Sequence, residues 1–353
     1  MINPVRSLLI SLAAALALAA CTPGLAPPPR PLPPAAHDKF ETMIAADGAE
    51  LPLHRTLPEK KPVAVIVALH GFNDYSNAFT DTARFLTAYG IATYAYDQRG
   101  FGEAPDRGYW DGIPAMLSDV RTAVALAHKQ FPHVPVYLLG ESMGGALALV
   151  ATSGSHPVDV EGVILSAPAV WSRPTMNVFE RVGLWVASHT VPWLGVSGGG
   201  LGFRPSDNIA MLRALGRDPL VIKSTLVGTL HGLVDLMDAA YASAASLAKP
   251  ALVLYGEKDQ IVPPGPTCSM LEHLPPRTRT DWRAALYPEG YHMLLRDLQG
   301  ERVMTDIAAW VLDRSAPLPS EHEVLSTDGP SRVQQVRALP LCAKALGRAP
   351  TRS

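Results

Sequence analysis

This chain has few cysteines, few long apolar runs and almost no excess of charge of one sign. Its 353 residues include three cysteines, at positions 21, 268 and 342, which are too few for a disulfide framework and too far apart for a metal site. The 30 Lys and Arg balance the 32 Asp and Glu, and the sequence has no basic run, which argues against a nucleic-acid partner. With 48% hydrophobic residues, the chain can still fold around a sizeable core stabilised by packing.

The N-terminus has the pattern of a secretory signal. Arg6 precedes an apolar run over residues 8–20 that is broken only by Ser11, and such a run is too short to span a bilayer comfortably. Its ending, Leu18-Ala19-Ala20-Cys21, resembles the lipobox of bacterial lipoproteins. The resemblance implies that residues 1–20 are removed and that Cys21 is lipidated as the mature N-terminus. The alternative is an ordinary cleaved signal in which the cysteine occurs by chance.

The residues after Cys21 point to an anchored protein of the cell envelope. Thr22 stands where an Asp would retain a lipoprotein at the inner membrane, so the resemblance to the sorting pattern favours the outer membrane. Residues 21–37 contain seven prolines and predict an extended spacer between the lipid and the folded domain. Two or three acyl chains would hold the protein durably on a membrane.

The C-terminal segment lacks the periodicity of the preceding chain. From about Ser315 the hydrophobic pattern fades, which predicts a mostly disordered tail over residues 315–353. As an alternative, residues 333–346 could dock on the domain through Val336, Leu339 and Leu341. Cys342 lies in this segment without an evident partner.

Residues 38–314 have the pattern of an α/β domain. Short β-branched runs alternate with helical stretches, which predicts a parallel sheet with helices on both faces. The run 63–69 has no polar alternation, as expected for a strand buried on both faces. Further strands are predicted at 92–96, 136–139, 163–165, 251–255 and 284–287, and helices at 118–131, 145–153 and 302–312.

A segment between the predicted strands interrupts this rhythm. From Pro168 to about residue 245 the sequence has clustered tryptophans and a run of three glycines, Gly198-Gly199-Gly200. We expect a helical lid over about residues 170–245.

The motif Gly140-Glu141-Ser142-Met143-Gly144 directly follows the strand 136–139 and opens a helix. In that context G-x-S-x-G indicates a nucleophile elbow. A serine on so sharp a turn has strained dihedrals, and side chains two residues to either side would collide with neighbouring elements. The turn also places the hydroxyl at a helix N-terminus, where free N–H groups favour negative charge. Ser142 is therefore the predicted nucleophile.

A serine nucleophile needs a base, and the base needs an orienting carboxylate. His292 follows the strand 284–287 on a loop and is the predicted base. Asp259 follows the strand 251–255 and is the predicted acid, with Glu257 as the alternative, because the residue farther from the strand can reach a histidine. The order Ser, Asp, His along the chain is that of α/β-hydrolases.

Two backbone N–H groups are predicted to stabilise the oxyanion. One belongs to Met143, directly after the nucleophile, and the other to Phe72, on the loop after the strand 63–69. His70 is expected to brace that loop. The segment Asp97-Gln98-Arg99-Gly100-Phe101-Gly102 predicts a tight structural loop near the pocket rather than a phosphate site, because no second glycine-rich spacing or following helix supports nucleotide binding.

Together these motifs resemble the monoacylglycerol lipase and lysophospholipase branch of the α/β-hydrolase family, over about residues 40–314. The motifs are His70-Gly71, Asp97-x-Arg99-Gly100-x-Gly102, Gly140-Glu141-Ser142-Met143-Gly144-Gly145, Gly256-Glu257-x-Asp259 and Tyr291-His292. The resemblance implies a serine esterase fold with a helical cap between the sixth and seventh strands, and the roles of nucleophile, acid and base for Ser142, Asp259 and His292. The family often has Gly where Asn73 stands and a small residue where Glu103 stands.

The expected reaction is ester hydrolysis through an acyl-enzyme, without a metal or other cofactor. The lid, rich in Trp, Leu and Val, would provide an apolar acyl site, so we expect a small-molecule lipid ester such as a monoacylglycerol or lysophospholipid. An acyltransferase, or a peptidase that removes small N-terminal residues, could use the same elbow. An inactive anchored binding protein is a further alternative, although three triad members in the right order would then be a coincidence.

Overall fold

The computed structural model describes residues 41–198, 202–276, 278–325 and 331–347. The predicted signal, Cys21 and the Pro-rich spacer lie outside the described residues, as do two of the three glycines in the run 198–200 and parts of the predicted tail. Among the helices that the structure describes, none combines the length and apolar character needed to cross a bilayer.

A mostly parallel sheet forms the centre of the molecule. Its strands are β1 (Thr42–Ile44), β2 (Glu50–Thr56), β3 (Ala64–Leu69), β4 (Ile91–Tyr96), β5 (Val136–Glu141) and β6 (Gly162–Ser166), followed after the cap by β9 (Ala251–Gly256) and β10 (Trp282–Tyr287). Their order in space is β1-β2-β4-β3-β5-β6-β9-β10. The strands β3 to β10 of this sheet run parallel, whereas β1 and β2 pair antiparallel at one edge.

Ten α-helices are found in the part of the chain that the structure describes, some covering the two faces of the sheet and others in the cap or at the C-terminus. They are α1 (Thr80–Thr87), α2 (Ile113–Gln130), α3 (Met143–Ala151), α4 (Val178–Thr190), α5 (Ile209–Arg217), α6 (Val227–Ser243), α7 (Pro264–His273), α8 (Gly300–Leu312), α9 (Arg332–Ala338) and α10 (Pro340–Ala345). In β3, Val65 and Val67 face one hydrophobic core, while Ile66 and Ala68 face the other. This two-sided burial explains why the strand has no polar alternation.

The structure confirms the predicted α/β class and the six predicted strands, each within two residues of its bounds. The antiparallel strands β1 and β2 were not predicted. For β2 the sequence did carry a signal, because its alternation of buried Leu51 and Leu53 with more exposed neighbours is the pattern of an antiparallel strand with one solvated face. Helix α2 begins five residues before the predicted start, with Pro114 in its first turn, a position that proline favours.

The insertion between β6 and β9 forms a cap. It contains α4, α5 and α6 together with a small antiparallel pair, β7 (Gly195–Val196) and β8 (Thr225–Leu226). Since β6 and β9 are the sixth and seventh strands of the main sheet, the cap has the position that the family resemblance implies.

The prediction of a mostly disordered tail is wrong for the described residues after Ser315. Leu318 and Leu325 are buried, and α9 and α10 pack against α7 with Val336 fully buried. The alternative of a docking segment matches this arrangement. Cys342 of α10 forms a disulfide with Cys268 of α7, at a Cα–Cα distance of 5.4 Å, so the expectation that the chain relies on packing alone is also corrected.

Candidate active site

Ser142 occupies a strained turn between β5 and α3. Its dihedrals are φ 54° and ψ −113°, a conformation that costs a non-glycine residue about 1–3 kcal/mol. Hydrogen bonds hold it on both sides: the Ser142 N–H donates to the Ser166 carbonyl at 3.0 Å, and the Ala169 N–H donates to the Ser142 carbonyl at 2.9 Å. The surrounding fold thus maintains a backbone geometry that the chain would otherwise avoid.

The glycines of the elbow are required by close backbone contacts. A Cβ atom at Gly140 would lie 2.2 Å from the Gly144 carbonyl oxygen, and one at Gly144 would lie 2.0 Å from the Leu69 carbonyl oxygen. Both distances are far below van der Waals contact, so no larger residue fits without a shift of the backbone. The elbow can therefore pack directly against the end of β3.

His292 and Asp259 are joined by a buried hydrogen bond. The distance from His292 Nδ1 to Asp259 Oδ2 is 2.8 Å, and both side chains are almost fully buried. The other carboxylate oxygen, Oδ1, accepts hydrogen bonds from the N–H groups of Ile261 and Val262. The carboxylate is thus oriented by its own loop, and we assign the Nδ1–H tautomer, which leaves Nε2 free to accept a proton. The alternative acid, Glu257, is exposed.

Burial and neighbouring charges act on His292 in opposite directions. Burial alone lowers the pKa of the imidazole, but the charge and hydrogen bond of Asp259 outweigh it, so the net pKa lies above its usual value. The Glu141 carboxylate raises this pKa further, whereas the Arg296 guanidinium lowers it. The imidazole is therefore held by Asp259, and the charges of Glu141 and Arg296 also affect its pKa.

The predicted oxyanion donors lie on either side of Ser142. Met143 is the first residue of α3, where N–H groups lack intrahelical partners. On the other side, a Cβ atom at Gly71 would lie 3.5 Å from the Ser142 Cβ, so the loop that carries Phe72 passes next to the nucleophile. The structure therefore places Met143 and the loop of Phe72 next to Ser142, and their role as donors stays a prediction.

Asn73 explains one departure from the resembled family. Its φ is 66°, a left-handed conformation that Asn tolerates better than most residues other than Gly. The Asn73 side-chain amide donates to Thr225 Oγ1 at 2.7 Å, and the Asn73 backbone carbonyl accepts from the Ile222 N–H at 2.9 Å. The asparagine therefore ties the oxyanion loop to the cap, which a glycine side chain could not do.

His70 braces the oxyanion loop. Its Nδ1 lies 2.8 Å from the Gly71 carbonyl oxygen, and its Nε2 accepts from the Gln98 N–H at 2.9 Å. The Gln98 side chain donates back to the His70 carbonyl at 2.8 Å. Burial lowers the pKa of His70, which suits a neutral ring with one donor and one acceptor.

The loop over residues 97–102 has a structural role. The Asp97 carboxylate accepts from the N–H groups of Ser76 and Glu103, each at 2.9 Å, and Arg99 forms buried ion pairs with Asp119. The charged side chains of Asp97 and Arg99 are therefore engaged in contacts within the protein, as expected for a structural loop.

One cluster beside the site was missed by the sequence analysis. Arg296 lies 2.7 Å from Asp74 and 2.8 Å from Glu141, through its two Nη atoms. The two carboxylates are buried, and the Arg296 side chain is 11% exposed. A signal was available at Glu141, because a carboxylate at the end of a fully buried strand needs a compensating cation.

Two of the cap tryptophans are largely exposed. Trp185 is 54% exposed and Trp193 is 63% exposed, and the neighbouring Phe179 on α4 is 85% exposed. On α6, by contrast, Leu233 and Leu236 are buried. An apolar acyl site provided by the cap stays a prediction.

Ser142, Asp259 and His292 follow the ends of β5, β9 and β10, which are parallel strands of one sheet. The carboxyl ends of such strands meet at a single edge, where sites form in α/β folds. A strained serine and an oriented imidazole at this edge, with the predicted amide donors on adjacent backbone, can support acyl transfer.

Comparisons with known proteins agree with this chemistry. Residues 60–299 match the family described as "Serine aminopeptidase, S33". The chain is 28% identical to a monoacylglycerol lipase of Mycolicibacterium smegmatis over 259 residues, which cover 72% of this chain and 90% of that protein. It is 26% identical to human monoglyceride lipase over 287 residues, which cover 78% and 90% of the two chains.

A solved structure shares the fold. A soluble variant of monoglyceride lipase from Saccharomyces cerevisiae, in complex with a substrate analogue, superimposes with a TM-score of 0.64. The match covers 82% of this chain and 97% of that one, at 20% sequence identity.

Proposed function

We propose that this chain cleaves monoacylglycerols or similar lipid esters. The premise is that it belongs to the serine aminopeptidase S33 family and is a carboxylic ester hydrolase with the α/β-hydrolase fold. The main support for the chemistry is the buried 2.8 Å contact between His292 and Asp259, at the same sheet edge as the strained Ser142. The support for the substrate class comes from relatives named as monoacylglycerol or monoglyceride lipases.

In the proposed first half-reaction, Ser142 Oγ attacks the ester carbonyl carbon while His292 Nε2 accepts the hydroxyl proton. Asp259 stabilises the imidazolium that forms. The N–H groups of Phe72 and Met143 donate to the tetrahedral oxyanion. Collapse of the intermediate breaks the bond to the leaving alcohol, which takes the proton from His292, and an acyl-enzyme remains.

In the second half-reaction, water attacks the acyl carbonyl and His292 accepts its proton. A second tetrahedral intermediate forms in the same oxyanion site. It then releases the fatty acid, and the proton returns to Ser142 Oγ. The acid–base pair thus serves both halves of the cycle.

Peptidase activity is the second candidate, since the matched family is described as an aminopeptidase. An aminopeptidase must bind the protonated amine of its substrate, which calls for an uncompensated carboxylate near the nucleophile. The buried carboxylates beside the elbow, Asp74 and Glu141, are both paired with Arg296. This pairing favours an uncharged ester over a cationic peptide end.

A substrate panel of monoacylglycerols, lysophospholipids, p-nitrophenyl esters and aminoacyl amides tests this function. We expect the wild type to hydrolyse the lipid esters, and Ser142→Ala to lower kcat by very roughly 10⁶-fold with the fold intact, because the nucleophile is lost. Ser172→Ala, at a buried serine on the loop after β6, is the matched control and should keep its activity. Faster turnover of aminoacyl amides than of esters would contradict the proposal, and transfer of the acyl group to added alcohols would identify an acyltransferase.

We also propose that Cys21 is lipidated and holds the enzyme in the cell envelope, with the outer membrane favoured. The disulfide between Cys268 and Cys342 supports export, because disulfides persist mainly in oxidising compartments. Intact mass of the membrane fraction should show an N-terminal acylated cysteine, and Cys21→Ala should release the protein. A mature chain that retains Met1 would contradict this proposal.

A further inference from the structure

Arg296 connects the three loops that carry the proposed machinery. It ends a short helical segment, Leu294–Arg296, four residues after His292. One Nη atom reaches Asp74, two residues after Phe72, at 2.7 Å, and the other reaches Glu141, directly before Ser142, at 2.8 Å. The Arg296 side chain is only 11% exposed, so this contact is made inside the protein.

We propose that Arg296 is a positioning residue, which holds the oxyanion loop and the nucleophile elbow in register with the loop of the base and compensates the two carboxylates beside them. This inference rests on the proposed ester hydrolysis, since it assigns a role within the same site.

The geometry of the contact favours a positioning role. The planar guanidinium presents its two Nη atoms in a fixed fork, so the separation of the two carboxylates is set by the side chain that bridges them. Asp74 is itself oriented, because its Oδ1 accepts from the Tyr75 N–H at 2.9 Å. A displacement of Arg296 would therefore move the Phe72 loop relative to Ser142, and small misplacements of reacting groups slow catalysis strongly.

The charges of the cluster also matter for the reaction. Asp74 and Glu141 are buried, with side chains 7% and 2% exposed. Without a cation they would oppose the negative charge that forms on the oxyanion, because interactions between charges are strong where water is excluded. Arg296 compensates both. Burial acts to lower the pKa of Arg296, but these two carboxylates raise it by more, so the side chain stays charged.

The same cluster acts on the base. The charged groups that influence His292 are Asp259 and Glu141, which raise its pKa, and Arg296, which lowers it. Asp74 is paired with Arg296. Removing the charge of Glu141 should therefore lower the pKa of His292, while removing the charge of Arg296 should raise it.

Three variants of the full-length protein test this role, with hydrolysis of p-nitrophenyl butyrate measured across pH. Glu141→Gln is nearly isosteric and should move the acid limb of kcat/KM to lower pH. Arg296→Met should move that limb to higher pH and lower kcat by about 10²-fold. Arg296→Lys keeps the charge but not the fork, so the limb should stay in place while kcat recovers only in part.

Arg283→Met is the matched control. Arg283 is also a buried arginine and pairs with Glu323. It is the second residue of β10, so it lies at the opposite end of the sheet from the candidate site. This variant should lose stability without moving the acid limb. If it shifts the limb as Arg296→Met does, the effect of Arg296 is a general structural one and the inference is wrong.

A titration of the His292 imidazole by NMR, in wild type and in the folded variants, gives a readout that does not depend on turnover. Opposite shifts in Glu141→Gln and Arg296→Met support the inference. If Arg296→Met fails to fold, Arg296→Lys decides: a lower kcat with an unmoved acid limb supports the inference, and a wild-type kcat overturns it. Unchanged kcat, acid limb and imidazole titration in these variants would overturn it. If the wild type hydrolyses no ester while the His292 pKa still shifts in the variants as described, the proposed function is wrong but the coupling of Arg296 to His292 stands.

Discussion

The hydrogen bond between His292 and Asp259 determines how the base responds to pH. Because the net pKa of His292 is raised, the imidazole is protonated over a wider range than usual, and a protonated base cannot accept the proton of Ser142. The activity should therefore fall with decreasing pH at a midpoint above about 6.5, the ordinary value for histidine.

Asp259→Asn tests this dependence. Loss of the carboxylate removes the main influence that raises the pKa of His292, so the acid limb of kcat/KM should move to lower pH. The variant should also lower kcat by about 10⁴-fold, because the tautomer of the imidazole is no longer fixed. A pH–rate profile on a soluble ester measures both effects.

Glu257→Gln is the control for this prediction, since Glu257 is an exposed carboxylate on the same loop. It should leave the limb and kcat in place. A stronger loss in Glu257→Gln than in Asp259→Asn would show that the wrong acid has been assigned.

For individual residues, the sequence predicted those site residues that follow a recognisable strand. Ser142 was predicted from the G-x-S-x-G motif between a strand and a helix, and Asp259 and His292 from the Ser, Asp, His order and their places on loops after later strands. Arg296 was not predicted, because its partners Asp74 and Glu141 come from distant parts of the chain. Only the three-dimensional arrangement brings them together.

Among the elements, the buried parallel strands were the most predictable. Their continuous apolar runs, as in β3, reflect burial on two faces. The C-terminal helices were harder to predict, because α9 and α10 are seven and six residues long and short helices depend on tertiary contacts for their stability. The partner of Cys342 lies 74 residues away, a separation at which spacing does not identify a disulfide.

The disulfide should stabilise the packing of α9 and α10 on α7. In Cys342→Ser, the free energy of unfolding should fall by about 2–4 kcal/mol, because a bond between residues so far apart constrains the unfolded chain. Thermal unfolding of the oxidised and reduced wild type, beside the variant, measures the effect. Ester hydrolysis at room temperature should be retained, since the bond lies outside the proposed catalytic set.

Added reductant provides the control. It should lower the unfolding midpoint of the wild type and leave that of Cys342→Ser unchanged. Reaction of Cys268 and Cys342 with a thiol reagent in the folded, non-reduced protein would contradict the assignment of this bond.

Across the whole molecule, the cap is attached to two loops of the candidate active site. It reaches the oxyanion loop through the contacts of Asn73 with Thr225 and Ile222. At the base loop, Ser206 Oγ donates to Asp297 at 2.6 Å, and the Met293 N–H donates to the Pro205 carbonyl at 2.9 Å.

The position of the cap was predicted from the sequence, but these attachments were not. The cap segments that make these contacts have no regular periodicity, and they lie apart in the sequence: Pro205 and Ser206 contact the loop after β10, whereas Ile222 and Thr225 contact the loop after β3. Composition therefore indicated an insertion rich in apolar residues, whereas the exposure of Trp185 and Trp193 depends on how the cap packs. The whole molecule places the cap over the sheet edge where the proposed nucleophile lies.

Covalent labelling tests the central claim, that Ser142 is an activated nucleophile, most directly. The folded full-length protein is treated with a fluorophosphonate, and the adduct is located by peptide mass spectrometry. We predict a single adduct on Ser142, absent from Ser142→Ala and from the heat-unfolded wild type. A folded wild type that stays unlabelled, or that carries the label on another residue, would contradict the account.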